Sequence, residues 1–412
     1  MTARLAPLLG ALFDGEPPIR VRMWDGEESG PAEAPTVILR DPLALRHLMW
    51  SPGELGLARA YVTGALDVEG DLAEGLRLVG KQAGKQAGEQ VGEQAAGHVG
   101  WRIGRRIGRP WRVAVPALRA LAALPGVLGP RPPAPAAEAR LRGRLHTRTR
   151  DRQVIAHHYD LSNAFYALIL DPEMSYSCAR FEPGDDLARA QRRKLDLVCA
   201  KLRLEPGMRL LDVGCGWGAL LRHAARDYGV AAKGVTLSAA QRAYIGRRSG
   251  DGVVEMRDYR DVTGGPYDAV ASIEMGEHVG RSGYPAYAAA LRRLVRPGGR
   301  VLIQQMSRGG RHPGGGPFIE RYIAPDMDMR PVGQTIGLLE AAGLRLEHVE
   351  AMGAHYARTV HAWRERLESR YDEAVALIGA ERARVWRLYL AGGALAFEQG
   401  RMDVHQILLR RP

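Results

Sequence analysis

Leu210-Leu-Asp-Val-Gly-Cys-Gly-Trp-Gly-Ala219 is the stretch that decides how this chain is read. An apolar run ends in glycines, and an amphipathic segment begins at the alanine, so the order is buried strand, tight turn, helix start. Gly214, Gly216 and Gly218 are spaced G-x-G-x-G, unlike the G-x-G-x-x-G of pyrophosphate-binding dinucleotide sites. Glycine lets the main chain approach a ligand where a Cβ would collide. Asp212 closes the strand as a hydrogen-bond acceptor. The alternative is a plain strand–helix turn.

Working outward, strands are expected at 208–213, 232–237, 267–273 and 300–305, with helices at 219–228, 239–247 and 284–294 between them. Helices at 163–170 and 187–202 precede this series. A helix at 383–397 and a strand at 403–409, expected at the sheet edge, close it. Such alternation implies an α/β fold with a parallel sheet covered by helices on both faces. On it, the loop suits a ligand without pyrophosphate, such as S-adenosylmethionine (SAM), better than NAD. The second strand ends Gly234-Val-Thr-Leu-Ser238, without the acidic residue that usually takes ribose hydroxyls. Thr236 and Gln241 offer neutral hydrogen bonds in its place. Asp258-Tyr-Arg-Asp261 stands where an adenine is expected, or is a capped helix start.

The chain has 412 residues, 46% of them hydrophobic, which excludes global disorder. Its three cysteines, Cys178, Cys199 and Cys215, form no CxxC pair, so neither a disulfide framework nor a metal site is expected. That fits a reducing compartment. No run reaches the roughly 18 apolar residues of a membrane span. The apolar stretch 5–13 runs directly into Asp14 and Glu16, so it is read as part of a cytoplasmic protein rather than a leader.

The net charge is +12, and it is not evenly spread. Residues 81–150 hold fourteen basic residues against Glu89, Glu93 and Glu138, which accounts for nearly all the excess. The first 80 residues read as a small mixed domain, with strands at 19–23 and 36–39 and helices at 43–50 and 55–62. A Gly-Lys-Gln-Ala tract follows, in which glycine every fourth residue disfavours a stable helix, so it is read as flexible linker. In Trp101-Arg-Ile-Gly-Arg-Arg-Ile-Gly-Arg-Pro-Trp111 the arginines share one helical face. They suit a segment lying on anionic lipid, or else a solvated basic linker. Three parts result: 1–80, a basic docking segment 81–150, and 151–412.

The chain resembles the cyclopropane-fatty-acyl-phospholipid synthase family. The resemblance is carried by His157-His-Tyr-Asp-Leu-Ser-Asn163, Leu170-Asp-Pro-Glu-Met-Ser-Tyr-Ser-Cys-Ala179, the glycine loop, Gly234-Val-Thr-Leu-Ser238, Ser272-Ile-Glu-Met-Gly-Glu-His-Val-Gly280, Phe318-Ile-Glu-Arg-Tyr-Ile-Ala-Pro325 and His355-Tyr-Ala-Arg-Thr359. It spans the chain from about residue 153, and more weakly 17–78. It implies a Rossmann-like class I SAM methyltransferase with a mostly parallel seven-stranded sheet and a smaller N-terminal domain that presents lipid. Around the cofactor it places Tyr176, Ser177, Asp212, Gly214, Gly216, Gly218, Thr236, Leu237, Gln241, Tyr259, Arg260 and Ile273. The reaction it implies moves a methyl group from SAM to a cis double bond in a phospholipid acyl chain. An unactivated alkene attacking a sulfonium methyl leaves a carbocation, so the site must be dry and rich in π-faces. Tyr176, Tyr322 and Tyr356 are candidates to stabilise it.

The family removes a proton with a bicarbonate ion held by a Cys, a Glu, a His and a Tyr. Cys178, Glu277 and Tyr356 match, and His158 is taken with them as catalytic. Where family cyclopropane formers have a His, in Leu-Leu-His-Thr-Ile, this chain has Leu302-Ile-Gln-Gln-Met306. Gln304 neither takes nor gives a proton, but it can donate a hydrogen bond to an anion. That departure points to the methylene/methyl-branched (tuberculostearic-type) branch, in which the product is a methylene-substituted chain reduced by a separate reductase. A cyclopropane product is the alternative. The resemblance also implies self-association and a place at the inner face of the plasma membrane. A nucleic-acid methyltransferase gripping phosphate through the basic segment is a more distant reading, and no nucleic-acid module supports it.

Overall fold

The computed structural model describes residues 9–10, 13, 16–88, 124–159, 161–247, 253–309 and 314–412. They fall into two compact units. The first comprises residues 1–138, 316–322 and 379–395; the second comprises 139–315, 323–378 and 396–412.

In the first unit, β1 (Arg20–Arg22), β2 (Glu28–Ser29), β3 (Thr36–Leu39) and β4 (Leu66–Glu69) form a sheet of order β2-β1-β3-β4. The helices Leu43–Trp50 and Glu54–Val62 pack on it, burying Leu45 and Tyr61 with Val21 and Leu66. Leu124 and Val127 belong to the same core. Glu138 is buried against Arg59, with Nε–Oε2 2.9 Å and Nη2–Oε1 2.8 Å.

This unit departs from a contiguous 1–80 domain followed by a free linker. The helix Leu72–Gly88 runs eight residues into the tract expected to be flexible. Asp71 starts it by accepting from the Ala73 N–H at 2.7 Å. Ala, Gln and Lys then sustain the helix despite the glycines. Residues 316–322 and 379–395 return from far along the chain to complete the unit. Apolar periodicity shows that a helix buries a face, not which body receives it. The Trp101–Trp111 stretch lies outside the described residues.

The second unit is built on β5 (Arg209–Val213), β6 (Ala231–Thr236), β7 (Val253–Met256), β8 (Tyr267–Ile273), β9 (Val295–Ser307), β10 (Arg345–Ala351) and β11 (Asp403–Arg410). Their order is β10-β11-β9-β8-β5-β6-β7. Strands β5 to β9 pair in parallel, and β11 pairs antiparallel with both β9 and β10. The last strand is therefore internal, and the edge beside it is β10. The burial patterns agree, since Val404 and 406–409 are buried in β11 while most of β10 is exposed.

Period-2 alternation sends side chains of each central strand to opposite cores. Leu211, Val301 and Ile303 join Tyr284, Tyr287 and Leu291 of the helix Gly280–Leu294 on one face. Leu210 and Leu302 join Leu195, Val198 and Leu202 of the helix Leu187–Leu202 on the other. Buried on both faces, these strands read as near-continuous apolar runs. No helix among the described residues is long and apolar enough to cross a membrane.

Candidate functional site

Strand β5 lies between β8 and β6, so the chain leaves it in opposite directions on its two sides. In such sheets a crevice opens beyond the carboxyl ends of the strands at this switch point. The glycine loop fills that position. Gly214 has φ +82°, and a Cβ there would lie 2.9 Å from the Met275 Cγ. Gly218 caps the helix Ala219–Tyr228 in the left-handed conformation.

A cavity of about 380 Å³ opens at this end of the sheet. It is lined by Tyr176, Ser177, Asp212, Gly214, Gly216, Thr236, Leu237, Gln241, Tyr259, Arg260 and Ile273, which brings together every expected cofactor residue except Gly218. Asp212 is buried, and its Oδ1 has no hydrogen-bond partner. Burial pushes its carboxyl up to about 7, while Lys194 pulls the other way. The Thr236 hydroxyl donates to Gln241 Oε1 at 2.7 Å, so these two neutral groups hold each other in place at the end of β6. Asp258 caps a 3-10 turn at Tyr259–Asp261 and also binds the Arg260 guanidinium, which reaches Asp151 at 3.0 Å. Both readings of that segment meet here, since it is a capped turn and it lines the cavity.

The expected catalytic residues gather around a carboxylate that sequence reasoning passed over. Register pairs Ile273 of β8 with Gln304 of β9, and Gln304 with Gln406 of β11. The next residue after β8 is Glu274, whose N–H donates to the Gln304 carbonyl at 2.6 Å. Glu274 Oε1 accepts from the Cys178 N–H and from Gln304 Nε2, each at 2.8 Å. Its Oε2 accepts from the Tyr356 hydroxyl at 2.6 Å. Glu274 also lines the cavity. Burial raises its carboxyl, and the three donors and Lys194 oppose that rise.

Cys178 thus turns its backbone, not its sulfur, to the cluster. Its thiol donates to the carbonyls of Ala179 and Met352, and burial pushes it well up, so it is an inert thiol. Glu277 is fully buried outside the cavity lining, and neither side-chain oxygen has a hydrogen-bond partner. Burial, then the nearby Glu274, pushes its carboxyl well above the usual range. His158 is buried beside Tyr176, with ring centroids 5.5 Å apart, and burial lowers it to about 3. At neutral pH its imidazole carries no charge. Tyr322 belongs to the first unit, where its hydroxyl lies 3.3 Å from Glu138.

Besides Glu274, the missed cavity residues include Lys194, His278 and Tyr159. Lys194 occupies the buried stripe of the helix Leu187–Leu202 and donates to Ser177 Oγ at 2.8 Å; burial lowers its ammonium. A basic residue at an apolar position of the helical period was the available signal. His278 is lowered by burial to about 4. Tyr159 faces Trp217 at 6.0 Å. With Tyr176, which packs on Trp363 at 5.1 Å, it gives the site an aromatic wall.

This sheet order, with a glycine loop at the switch point of an open crevice, defines a class I SAM-dependent methyltransferase. The family model for mycolic acid cyclopropane synthetase matches residues 146–407, and the chain belongs to that family. It is 36% identical to a probable fatty acid methyltransferase of Pseudomonas putida, over 100% of this chain and 96% of that protein. It is 39% identical to the tuberculostearic acid methyltransferase UfaA1 of Mycobacterium tuberculosis, over 65% of this chain and 66% of that one. Among solved structures, the mycolic acid cyclopropane synthase CmaA1 complexed with SAH and CTAB superposes with a TM-score of 0.59 at 32% identity. That match covers 63% of this chain and 98% of CmaA1.

Proposed function

We propose that this enzyme methylates the cis double bond of an unsaturated phospholipid acyl chain and releases a methylene-substituted chain. The observation that carries the reading is that one cavity holds both the glycine loop with Asp212 and a hydrogen-bonded carboxylate, Glu274. SAM supplies an electrophilic methyl group when bound. The residues fit it: Asp212 has a buried oxygen without a partner, and the glycines leave room where side chains would intrude. Tyr176, Ser177, Thr236, Leu237, Gln241, Tyr259, Arg260 and Ile273 would complete its site.

The remaining residues keep the reaction dry and direct the loss of a proton. The Tyr159, Tyr176 and Trp217 rings exclude water and offer π-faces to a cationic chain, worth about 0.5–2 kcal/mol each. A bicarbonate ion does not fit. The donors the resemblance assigns to it, at Cys178, Gln304 and Tyr356, are taken up by Glu274. Two unit charges about 4 Å apart repel by about 4 kcal/mol at an effective dielectric of 20. Gln304 in place of a proton-carrying His supports the methylene product over ring closure.

Arg140, Arg142 and Arg144 are exposed next to Leu145, which is 63% exposed and also lines the cavity. This supports docking on an anionic membrane at the cytoplasmic face, with acyl chains drawn in beside Leu145. Arg148 and Arg150 are instead engaged by Asp261 and Asp326. The first unit is read as presenting lipid, the basic residues within 81–150 as docking, and the second unit as the methyltransferase. Self-association and a reductase acting on the methylene product complete the proposal.

The test is NMR and mass spectrometry of lipids after incubating the enzyme with SAM and vesicles of oleoyl phospholipid. Vinylidene protons on a chain heavier by one CH₂ are expected. Cyclopropane ring protons would establish the isomeric product and overturn the methylene assignment.

A further inference from the structure

We propose that Glu274 is the proton acceptor of the reaction, its carboxylate standing in the place the resemblance gives to a bicarbonate ion. This rests on the reading above and names the group that completes it.

The argument begins with the donors. An anion bound in a buried site needs hydrogen bonds to replace those of water. Here the Cys178 N–H, Gln304 Nε2 and the Tyr356 hydroxyl converge on one carboxylate that the protein supplies itself. Glu274 has φ +53°, a left-handed backbone that a non-glycine residue adopts at a cost, and its N–H is fastened to the Gln304 carbonyl. Such strain persists where surroundings over-determine it, typically at functional sites. The conformation holds Glu274 at the end of β8, in the cavity lining.

The neighbours separate the roles of the two glutamates. Glu277 is enclosed and absent from the cavity lining, and burial raises its carboxyl. The three donors favour the charged form of Glu274, whereas burial and then Glu274 itself oppose ionisation of Glu277. Gln304 cannot compete for the proton, as a His would.

The step balances as follows. The alkene π pair forms the new C–C bond to the methyl carbon, and the methyl–sulfur pair leaves with sulfur as a neutral sulfide. A 1,2-hydride shift places the cation on the methylated carbon. A C–H pair of the new methyl group collapses to the C=C bond, and its proton passes to Glu274, giving a neutral carboxyl. Positive charge that entered with the sulfonium thus ends as one proton, returned to water when the products leave.

Two measurements test this. In the first, turnover of wild-type enzyme is compared in CO₂-free buffer and with added bicarbonate, beside Glu274→Gln. Equal wild-type rates are expected, with a loss on the order of 10²–10⁴-fold in the variant. SAM binding by calorimetry should be retained in that variant, which shows that the fold survives. Wild-type turnover that vanishes without bicarbonate, or a Glu274→Gln enzyme as fast as wild type, overturns the proposal. In the second, ¹³C-bicarbonate is titrated by NMR without lipid or SAM. No saturable binding is expected to wild type, and binding is expected to Glu274→Ala, whose donors are uncovered. Saturable binding to wild type, or none to either protein, overturns it. If no lipid is methylated in any buffer, the functional reading falls, while the titration still decides what occupies the anion site.

Discussion

Gln304 Nε2 donates to Glu274 Oε1 at 2.8 Å, and the direction of that bond is set two residues away. Lys201 Nζ, which can only donate, binds Gln406 Oε1 at 2.7 Å. The Gln406 amide must therefore turn its nitrogen to Gln304, which it meets at Oε1 at 2.9 Å. Gln304 in turn must present Nε2 to Glu274. A chain of one ammonium and two amides thus holds a donor against a buried carboxylate, and no member of it can flip without breaking two hydrogen bonds.

Gln304→Leu removes that donor while roughly keeping the volume. Hydrogen bonds to a charged group are worth about 1.5–3 kcal/mol, so the ionised form of Glu274 loses stability equal to about 1–2 pH units. Since turnover needs the carboxylate, activity rises as pH rises through its pKa. The acid limb of the pH–rate profile should therefore move upward in the variant. An unmoved limb would refute the link between this bond and catalysis.

Tyr356→Phe removes the donor on the other carboxylate oxygen, 2.6 Å away. Because Tyr356 and Gln304 serve the same group, their losses are not independent. A double-mutant cycle on turnover should show a coupling of about 0.5–3 kcal/mol. Strict additivity would show that the two residues act on different groups.

Asp212 gives a prediction with two signs. Burial raises its carboxyl to about 7, so between roughly pH 4, its unfolded value, and pH 7 the folded protein holds a proton that the unfolded chain releases. Its contribution to stability therefore falls as pH rises through that window. Asp212→Asn should raise the melting temperature of the ligand-free protein at pH 8 relative to wild type. It should also weaken SAM about 10- to 100-fold by calorimetry, since an ionised acceptor is lost. For wild type, SAM affinity should increase from pH 6 to pH 8.

The glycine loop separates backbone strain from steric clash. Gly214→Ala meets φ +82° and a contact 2.9 Å from Met275 Cγ, whereas Gly216→Ala meets φ +54° with nothing within 4 Å. Left-handed strain costs about 1–2 kcal/mol at either site. The Gly214 variant should lose more thermal stability than the Gly216 variant, and both should bind SAM less tightly. Equal melting temperatures would show that Met275 moves aside freely.

Much of the second unit was legible because its strands are buried on both faces and its helices carry an unbroken apolar stripe. The strand 267–273 and the helices 187–202 and 219–228 fall at the expected residues. The edge strands β7 and β10 were missed: β7 is only four residues long, and β10 is mostly polar and exposed. The placement of β11 inside the sheet depends on pairing, which local pattern does not encode. Glu274 illustrates the same limit in the site. In sequence it is one carboxylate of two in Ser272-Ile-Glu-Met-Gly-Glu277, and only the register of β8 against β9 brings it to Gln304. Motif matching favoured Glu277, three residues on, which the fold encloses without a partner.

The first unit offers a test of buried charge apart from the chemistry. Arg59 and Glu138 are 8% and 6% exposed at their side chains and joined by two hydrogen bonds, with the Tyr322 hydroxyl on the same carboxylate. Removing Arg59 leaves the buried Glu138 carboxylate with the Tyr322 hydroxyl and, 3.8 Å away, the more exposed Arg321 guanidinium, so the cost lies at or below the about 3–5 kcal/mol of a wholly uncompensated buried charge. Arg59→Met should lower the unfolding free energy by up to that amount in denaturant titration. Arg59→Met combined with Glu138→Leu removes both charges, and such replacements are often neutral or stabilising. The double variant should therefore recover most of the loss. If it is no more stable than Arg59→Met alone, the cost lies in lost packing around Tyr322 rather than in the stranded carboxylate.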